Sequence, residues 1–356
     1  MSDPLATAQT AVRFPAGETP PMTRLADQLR ELLRHDGLAH LVLYDGDTAT
    51  VALDATTAPS PTLSQDSHEH ERAGRQIYYL LEELQPDFNA LRTGALIRTV
   101  LRVPSGAVLY YQVEPGFHLY GATSERERLD ELDARMAECA NRLRLPARYS
   151  PLNYGSWFNT DSWALLTESE SEFEPESEPE LESESGPEPD PEPEADLPEE
   201  PAAPVSAEDI HARRPESAVL PPGTEELVRQ ALDVRGLHYI AYHHSPGTAW
   251  VQDIFGHPAL GDFFRVRTPD QRRERYARMS RLLPGVAGRM NLSLRAILGG
   301  ELVQLVLDVE QGAVYFHTLS EGRYLIGVTL DQSRVTAADH RLARLARELP
   351  TDRPGG

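Results

Sequence analysis

The amino-acid sequence predicts an α/β protein made of two tandem copies of one small module, joined by a disordered acidic linker. Three observations lead to this prediction: an internal repeat, the same order of helix and strand patterns in each copy, and a low-complexity segment between the copies. The length of 356 residues fits two or three ordinary domains, and 40% hydrophobic residues is enough to build their cores.

The repeat appears when residues 94–143 are placed on residues 300–349, an offset of 206. Eighteen of the fifty positions are identical, including Gly106-Ala107-Val108 against Gly312-Ala313-Val314; chance gives about three. Upstream, Gly37-Leu38 matches Gly236-Leu237 and Asp54 matches Asp253 at an offset of 199, so seven residues of length difference lie between the two blocks. This pattern indicates a duplication.

Each copy is predicted to contain a helix, a hairpin, a second helix, a three-stranded meander and a third helix. In copy one, leucines recur at helical spacing over residues 22–35, and apolar residues do so again over 71–86. Two apolar runs flank the turn Asp45-Gly46-Asp47, and three strands follow over residues 96–123. Ser124 and Glu127 have the spacing of a capping box, which predicts the start of the last helix.

The segment between the copies has a different composition from the rest. Residues 168–200 hold sixteen Asp or Glu and no basic residue, so the net charge of −22 falls to −6 without them. Such a segment cannot bury enough apolar surface to fold. The predicted organisation is therefore a disordered N-terminus (1–21), copy one (22–145), an aromatic segment (146–166), the acidic linker (167–221), copy two (222–350) and a disordered tail (351–356).

The element order resembles that of the roadblock (dynein light-chain-like) family, a profilin- and longin-like α/β sandwich, over residues 22–145 and 222–350. The repeated Gly106-Ala107-Val108 and the Gly121 and Thr123 positions support the resemblance as turn markers. Copy two departs from it in a longer, apolar connection over residues 254–264. The resemblance implies modules that pair through their second helix and third strand into a ten-stranded sheet. Because the linker holds the two modules at a high effective concentration, they are expected to pair within one chain.

Several classes of function are disfavoured by composition. All 34 basic residues are Arg, so Schiff-base chemistry and a Walker-A lysine are excluded. No basic block favours nucleic acid, and no apolar run of eighteen residues or secretory signal is seen, so a cytoplasmic protein is expected. The single cysteine, Cys139, is interpreted as a core residue because copy two has Leu345 there.

No catalytic, cofactor or metal site is predicted. His68-Glu69-His70-Glu71 is interpreted as a solvated loop rather than a metal site, and Arg98 and Arg102 as solvated strand residues rather than arginine fingers. The leading hypothesis is a non-catalytic scaffold or regulator that binds a small Ras-like GTPase, as the resemblance implies. The alternatives are an assembly adaptor without a GTPase and a small-ligand sensor.

Two aromatic clusters are the candidate partner-binding residues. The connection in copy two carries Phe255, Phe263 and Phe264, which either contact a partner or pack under their own helix. The segment after copy one carries Trp157, Phe158 and Trp163, which either form a docking motif or fold back on the first module.

Overall fold

The computed structural model describes most of both copies. The residues it describes are 10–34, 37–55, 62–144, 149–157, 205–215, 220–245, 248–320 and 322–349. Within these ranges, no helix combines the length and the apolar character needed to cross a membrane.

The predicted α/β class is confirmed, and the elements of copy one follow the predicted order after one added strand. These elements are β1 (Thr10–Arg13), α1 (Pro20–Arg34), β2 (His40–Asp45), β3 (Thr48–Ala55), α2 (Ser67–Leu91), β4 (Leu96–Val103), β5 (Gly106–Glu114), β6 (Phe117–Thr123) and α3 (Leu129–Arg144).

Copy two has the same order, again with a strand added before the first helix. Its elements are β7 (His211–Arg213), α4 (Thr224–Ala231), β8 (Tyr239–Ser245), β9 (Thr248–Asp253), α5 (Pro269–Leu294), β10 (Gln304–Val309), β11 (Gly312–Ser320), β12 (Arg323–Thr329) and α6 (Val335–Glu348).

All the strands form a single antiparallel sheet. Its order is β1-β3-β2-β6-β5-β4-β10-β11-β12-β8-β9-β7. The second half of this order mirrors the first, and β4 meets β10 at the centre. The seam thus joins the first meander strand of each module, which is the third strand that the sequence predicted. The sheet has twelve strands because β1 and β7 each add one strand at an outer edge.

The register of the seam places a pseudo-twofold axis through one residue pair. Val100 of β4 pairs with Val306 of β10, which is its own counterpart at the repeat offset of 206. Every other pair therefore joins non-equivalent positions, such as Arg98 with Asp308 and Arg102 with Gln304. This arrangement is what an isologous dimer of one module has, with the two modules carried by one chain.

Two helical layers cover the sheet. The helices α1, α3, α4 and α6 pack on one face, and α2 and α5 lie side by side on the other. The buried positions of α2 recur in α5 at an offset of 206, as in Ile77 with Leu283 and Leu84 with Met290. The seven-residue length difference therefore lies between the hairpin and the second helix, partly in a longer connection and partly in an earlier start of α5.

Two sequence-based boundaries need correction. Residues 10–13, placed in a disordered N-terminus, form β1 and pair with β3, while residues 1–9 lie outside the described residues. Residues 205–215, placed in the acidic linker, include β7, which pairs with β9. These strands are three and four residues long, too short for a periodic pattern to reveal. The rest of the acidic segment (167–204) and the tail (351–356) lie outside the described residues.

The predicted capping box at Ser124 is also wrong. A 3-10 turn over Arg126–Arg128 precedes α3, which begins at Leu129. The Thr123 hydroxyl accepts a hydrogen bond from the Glu125 amide at 2.9 Å. The side chain that binds a backbone amide before α3 is therefore Thr123, one residue before the predicted Ser124. A true capping box, Thr268 with Gln271, begins α5.

The seam predicts which fragments associate. Two copies of residues 1–166 paired in the same register would place Arg98 against Arg102 of the other fragment, twice, whereas residues 205–356 present Asp308 and Gln304 at those positions. Like charges across such a seam are unfavourable. Mixing the two fragments should therefore give a 1:1 heterodimer in native mass spectrometry, and two separate homodimers would contradict this register.

Candidate functional site

The centre of the seam holds a buried ionic cluster. Arg98 of β4 is 3% exposed and binds Asp133 of α3 and Asp308 of β10, the latter at 3.4 Å. Tyr111 also donates its hydroxyl to Asp133. Burial raises the pKa of Asp308 to about 7, against the opposing effects of Arg98, the Gly155 amide and Gln332. The interpretation of Arg98 as a solvated strand residue is wrong, because α3 and the second module cover this face of the strand.

The aromatic segment after α3 packs onto the same cluster. The Gly155 amide donates to Asp308 at 2.7 Å, and the Trp157 indole donates to Asp133 at 3.1 Å. Gly155 has a φ of +62°, and a Cβ there would lie 2.9 Å from Cζ of Arg98, so the position requires glycine. The Thr336 amide of copy two donates to Ser156 at 3.2 Å.

This segment therefore connects the two modules, and Trp157 is partly buried in the core rather than free for a partner. Of the other two proposed anchors, Phe158 and Trp163 lie outside the described residues.

The phenylalanine cluster of copy two belongs largely to the core. Phe255 is 1% exposed, with its ring stacked 5.8 Å from Tyr239 and tilted 5.3 Å from Phe264. Phe263 and Phe264 are partly buried against the same core. The docking role suggested for Phe255 is thus overturned, because a side chain this buried cannot contact a partner without local unfolding. Phe255 instead packs under the helix of its own module, with its ring 5.9 Å from that of Tyr276 on α5.

Copy one has a closed polar network between β1, β3 and α2. His40 of β2 forms a hydrogen bond with Asp54 at 2.6 Å through Nδ1, and its Nε2 contacts the Ser64 carbonyl at 3.1 Å. His70 stacks on His40 with ring centroids 3.6 Å apart. Burial by itself would raise the pKa of Asp54. Hydrogen bonds from His40 and Ser67, together with the charges of His40 and Arg13, outweigh burial and lower this pKa to about 2.

Neither ring nitrogen of His40 is free to act on a substrate. His40 is 3% exposed and both of its ring nitrogens are engaged. His70 is fully buried at the start of α2, so the interpretation of residues 68–71 as a solvated loop is wrong for His70 and Glu71. Within the described ranges, no three His, Cys, Asp or Glu side chains are grouped as metal ligands would be.

The same location in copy two is an open cleft. It lies between α5 and the strands β7, β8 and β9, with a volume of about 520 Å³. Its lining mixes apolar side chains, such as Val251 and Ala277, with Tyr239, three arginines and three carboxylates. A second hollow of about 370 Å³ lies on the other side of Arg281, beside Pro284 and Tyr324. Sequence reasoning missed this cleft because it arises from a difference between the copies at positions that lie far apart in the sequence.

The outer face of α5 is a third distinct surface, which we call the α5 face: Leu282, Gly285, Gly288 and Leu292. Leu282 and Leu292 are 41% and 65% exposed. A Cβ added to Gly285 or to Gly288 would meet no atom within 4 Å. The sequence signal for this face was present, since two glycines inside an apolar helical pattern are unusual.

No protein-family model matches the chain, and no curated protein matches it either. Chemistry at its surfaces comes from the side chains described above. Cys139 offers none, because burial raises the pKa of its thiol to about 12 and keeps it protonated.

Replacing Arg98 with Met tests the seam cluster. The variant leaves Asp133 and Asp308 buried without their guanidinium, so we expect the free energy of unfolding to fall by about 3–5 kcal/mol. Arg289→Met is the matched control, since Arg289 forms an exposed ion pair with Glu83 at 2.7 Å across the α2–α5 contact. It should cost less than about 1 kcal/mol in chemical denaturation. Equal losses in the two variants would show that the cluster contributes no more than a surface pair.

Replacing His118 with Phe tests the cost of buried histidine. Burial lowers the pKa of His118 to about 4, and its ring nitrogens have no hydrogen-bond partner. The unfolded chain takes up this proton near pH 6.5 and the folded chain does not, so stability falls as the pH drops from about 6.5 to 4. Between pH 6.5 and 4, the free energy of unfolding of His118→Phe should fall by on the order of 1–3 kcal/mol less than that of the wild type. His68→Gln, at an exposed histidine, serves as control, and parallel pH curves for His118→Phe and the wild type would refute the assignment.

Proposed function

We propose that the protein is a non-catalytic scaffold that binds a protein partner on the α5 face, and that this partner is a small Ras-like GTPase. The observation that carries the proposal is the composition of the α5 face, and the choice of partner rests on the resemblance to roadblock modules. The paired modules supply a rigid platform, because α2 and α5 lie side by side on one continuous sheet.

The exposed apolar residues support a contact surface at this position. Among the described residues, the large apolar side chains that remain exposed are Tyr79, Tyr149, Val266, Leu282 and Leu292. All but Tyr149 lie on α2, on α5 or just before α5. Single exposed apolar residues are ordinary, but a concentration on one helical layer is typical of a contact surface.

The two glycines of the α5 face give a second argument. Glycine inside a helix costs about 0.5–1 kcal/mol relative to alanine. Neither Gly285 nor Gly288 has a positive φ, and the space around each would accept a Cβ. The fold therefore gains nothing from them, whereas a partner backbone that approaches the helix closely needs the missing Cβ.

Leu292→Ser and Gly288→Ala separate binding from stability. The full-length chain is immobilised and exposed to lysate with a non-hydrolysable GTP analogue or with GDP, and the captured GTPase is then purified and titrated. We expect Leu292→Ser to weaken binding at least tenfold with little change in melting temperature. Gly288→Ala should weaken binding while it raises the melting temperature, because alanine is the better helix former.

The control is Tyr149→Ser, which removes an apolar side chain as exposed as Leu282 from a different surface. Its affinity should match that of the wild type. Capture of no Ras-like GTPase would overturn the choice of partner. Unchanged binding of a captured partner in both α5 variants would overturn the α5 face.

A further inference from the structure

We infer that the cleft of copy two is a binding site for a small carboxylate with an apolar body, and that copy one fills the equivalent site with its own Glu71. The inference is independent of the protein partner proposed above, because the cleft lies beside the first half of α5 and the α5 face begins after it.

Copy one shows what occupies the position in a closed module. Arg13 of β1 donates to the Glu71 carboxylate at 2.6 Å and to Asp54 at 3.3 Å. The Tyr44 hydroxyl donates to the Glu71 carbonyl at 2.9 Å. Gly74 makes room for Tyr44, since a Cβ on Gly74 would overlap its ring. A glutamate carboxylate and a tyrosine ring thus close the space between the edge strand and α2.

The corresponding arginine is retained in copy two. Arg213 pairs in register with Val251 as Arg13 pairs with Ala52, and 52 and 251 are related by the upstream offset of 199. The residues that close the site are not retained. Ala277 stands where copy one has Glu71, at the helix offset of 206, and His243 stands where copy one has Tyr44.

The carboxylate of Asp253, the counterpart of Asp54, has a different partner in copy two. It accepts hydrogen bonds from Nε and from a terminal nitrogen of Arg273, both at 2.8 Å. Arg273 also binds Asp270 at 2.7 Å. Within the part of the chain that the structure describes, Arg213 and Arg281 form no ion pair and no hydrogen bond. Both guanidinium groups line the cleft without the carboxylate that Arg13 has.

A buried hydroxyl in the cleft also lacks a partner. Tyr239 is 1% exposed and lines the cleft, and its hydroxyl has no hydrogen-bond partner. Leaving such a group unpaired costs about 1–3 kcal/mol. Burial, Asp253 and Tyr276 raise the pKa of this hydroxyl, and the positive charges of Arg281 and Arg213 act in the opposite direction. A carboxylate bound beside the two arginines is the acceptor that this hydroxyl lacks.

The cleft also defines the rest of the ligand. Its volume of about 520 Å³ is within the range of small-molecule sites. Pro215, Ala249, Val251 and Ala277 supply apolar surface for a hydrocarbon body. Glu274 also lines the cleft as an exposed carboxylate. It repels a dianion, which favours a ligand with a single carboxylate.

The test uses the full-length chain and a series of straight-chain carboxylates from propionate to octanoate, with the matching primary alcohols as controls. We expect carboxylates to raise the melting temperature in a concentration-dependent way and alcohols of equal length to have a much smaller effect. Calorimetric titration of the best carboxylate then gives its affinity. No shift with any carboxylate, or equal shifts with the alcohols, would overturn the inference.

Two variants locate the site. Ala277→Glu restores the copy-one residue, so we expect it to raise the melting temperature without ligand and to weaken carboxylate binding at least tenfold. Arg213→Gln should weaken binding by a similar factor, and it keeps the inference testable if Ala277→Glu fails to fold. Arg13→Gln, the same change in copy one, should leave the carboxylate affinity unchanged. Carboxylate binding that survives both Ala277→Glu and Arg213→Gln would place the ligand elsewhere.

Discussion

The antiparallel pairing of β4 with β10 is the contact on which the rest of the structure depends. It removes the two inner sheet edges, which would otherwise be free to aggregate, and it brings α2 beside α5. Because Val100 faces its own counterpart Val306, each difference between the copies acts directly across the axis. Glu83 meets Arg289, also its counterpart at the offset of 206, as an ion pair that identical modules cannot form. Duplication thus supplied a symmetric interface, and divergence made it specific for unlike halves.

The same divergence separates the two modules in what they offer to the solvent. Copy one closes the space beside its second helix with Glu71, Tyr44 and a histidine–aspartate pair. Copy two keeps the edge-strand arginine and loses the groups that close the site, which leaves a cleft and unpaired donors. A module in a homodimer cannot change in this way without changing both sites. Placing both modules in one chain allows one copy to maintain the fold while the other acquires a binding surface.

The sequence predicted the repeated, periodic features well, because they are encoded locally. Each helix and each hairpin or meander strand has its own apolar spacing or turn residues. The buried apolar positions of α2 in copy one recur in α5 of copy two. The short edge strands β1 and β7 were missed, since a few residues carry no period and pair only with a distant strand. The burial of Arg98, Phe255 and His70 was missed for a related reason. A polar or isolated aromatic residue is buried only when a distant segment packs over it. The residue pattern of one helix or strand does not show which distant segment will do so.

The unpaired groups of the cleft bear on whether its opening has been selected. The difference between Glu71 and Ala277 would have no cost if the other polar groups of the cleft had partners. Asp253 did find one in Arg273, at 2.8 Å. Tyr239 did not, although its counterpart His40 has both ring nitrogens engaged. A fold under selection for stability alone would favour phenylalanine at this position, because an unpaired buried hydroxyl costs about 1–3 kcal/mol. The inferred carboxylate ligand would give this hydroxyl, and the two arginines that lack carboxylates, a partner.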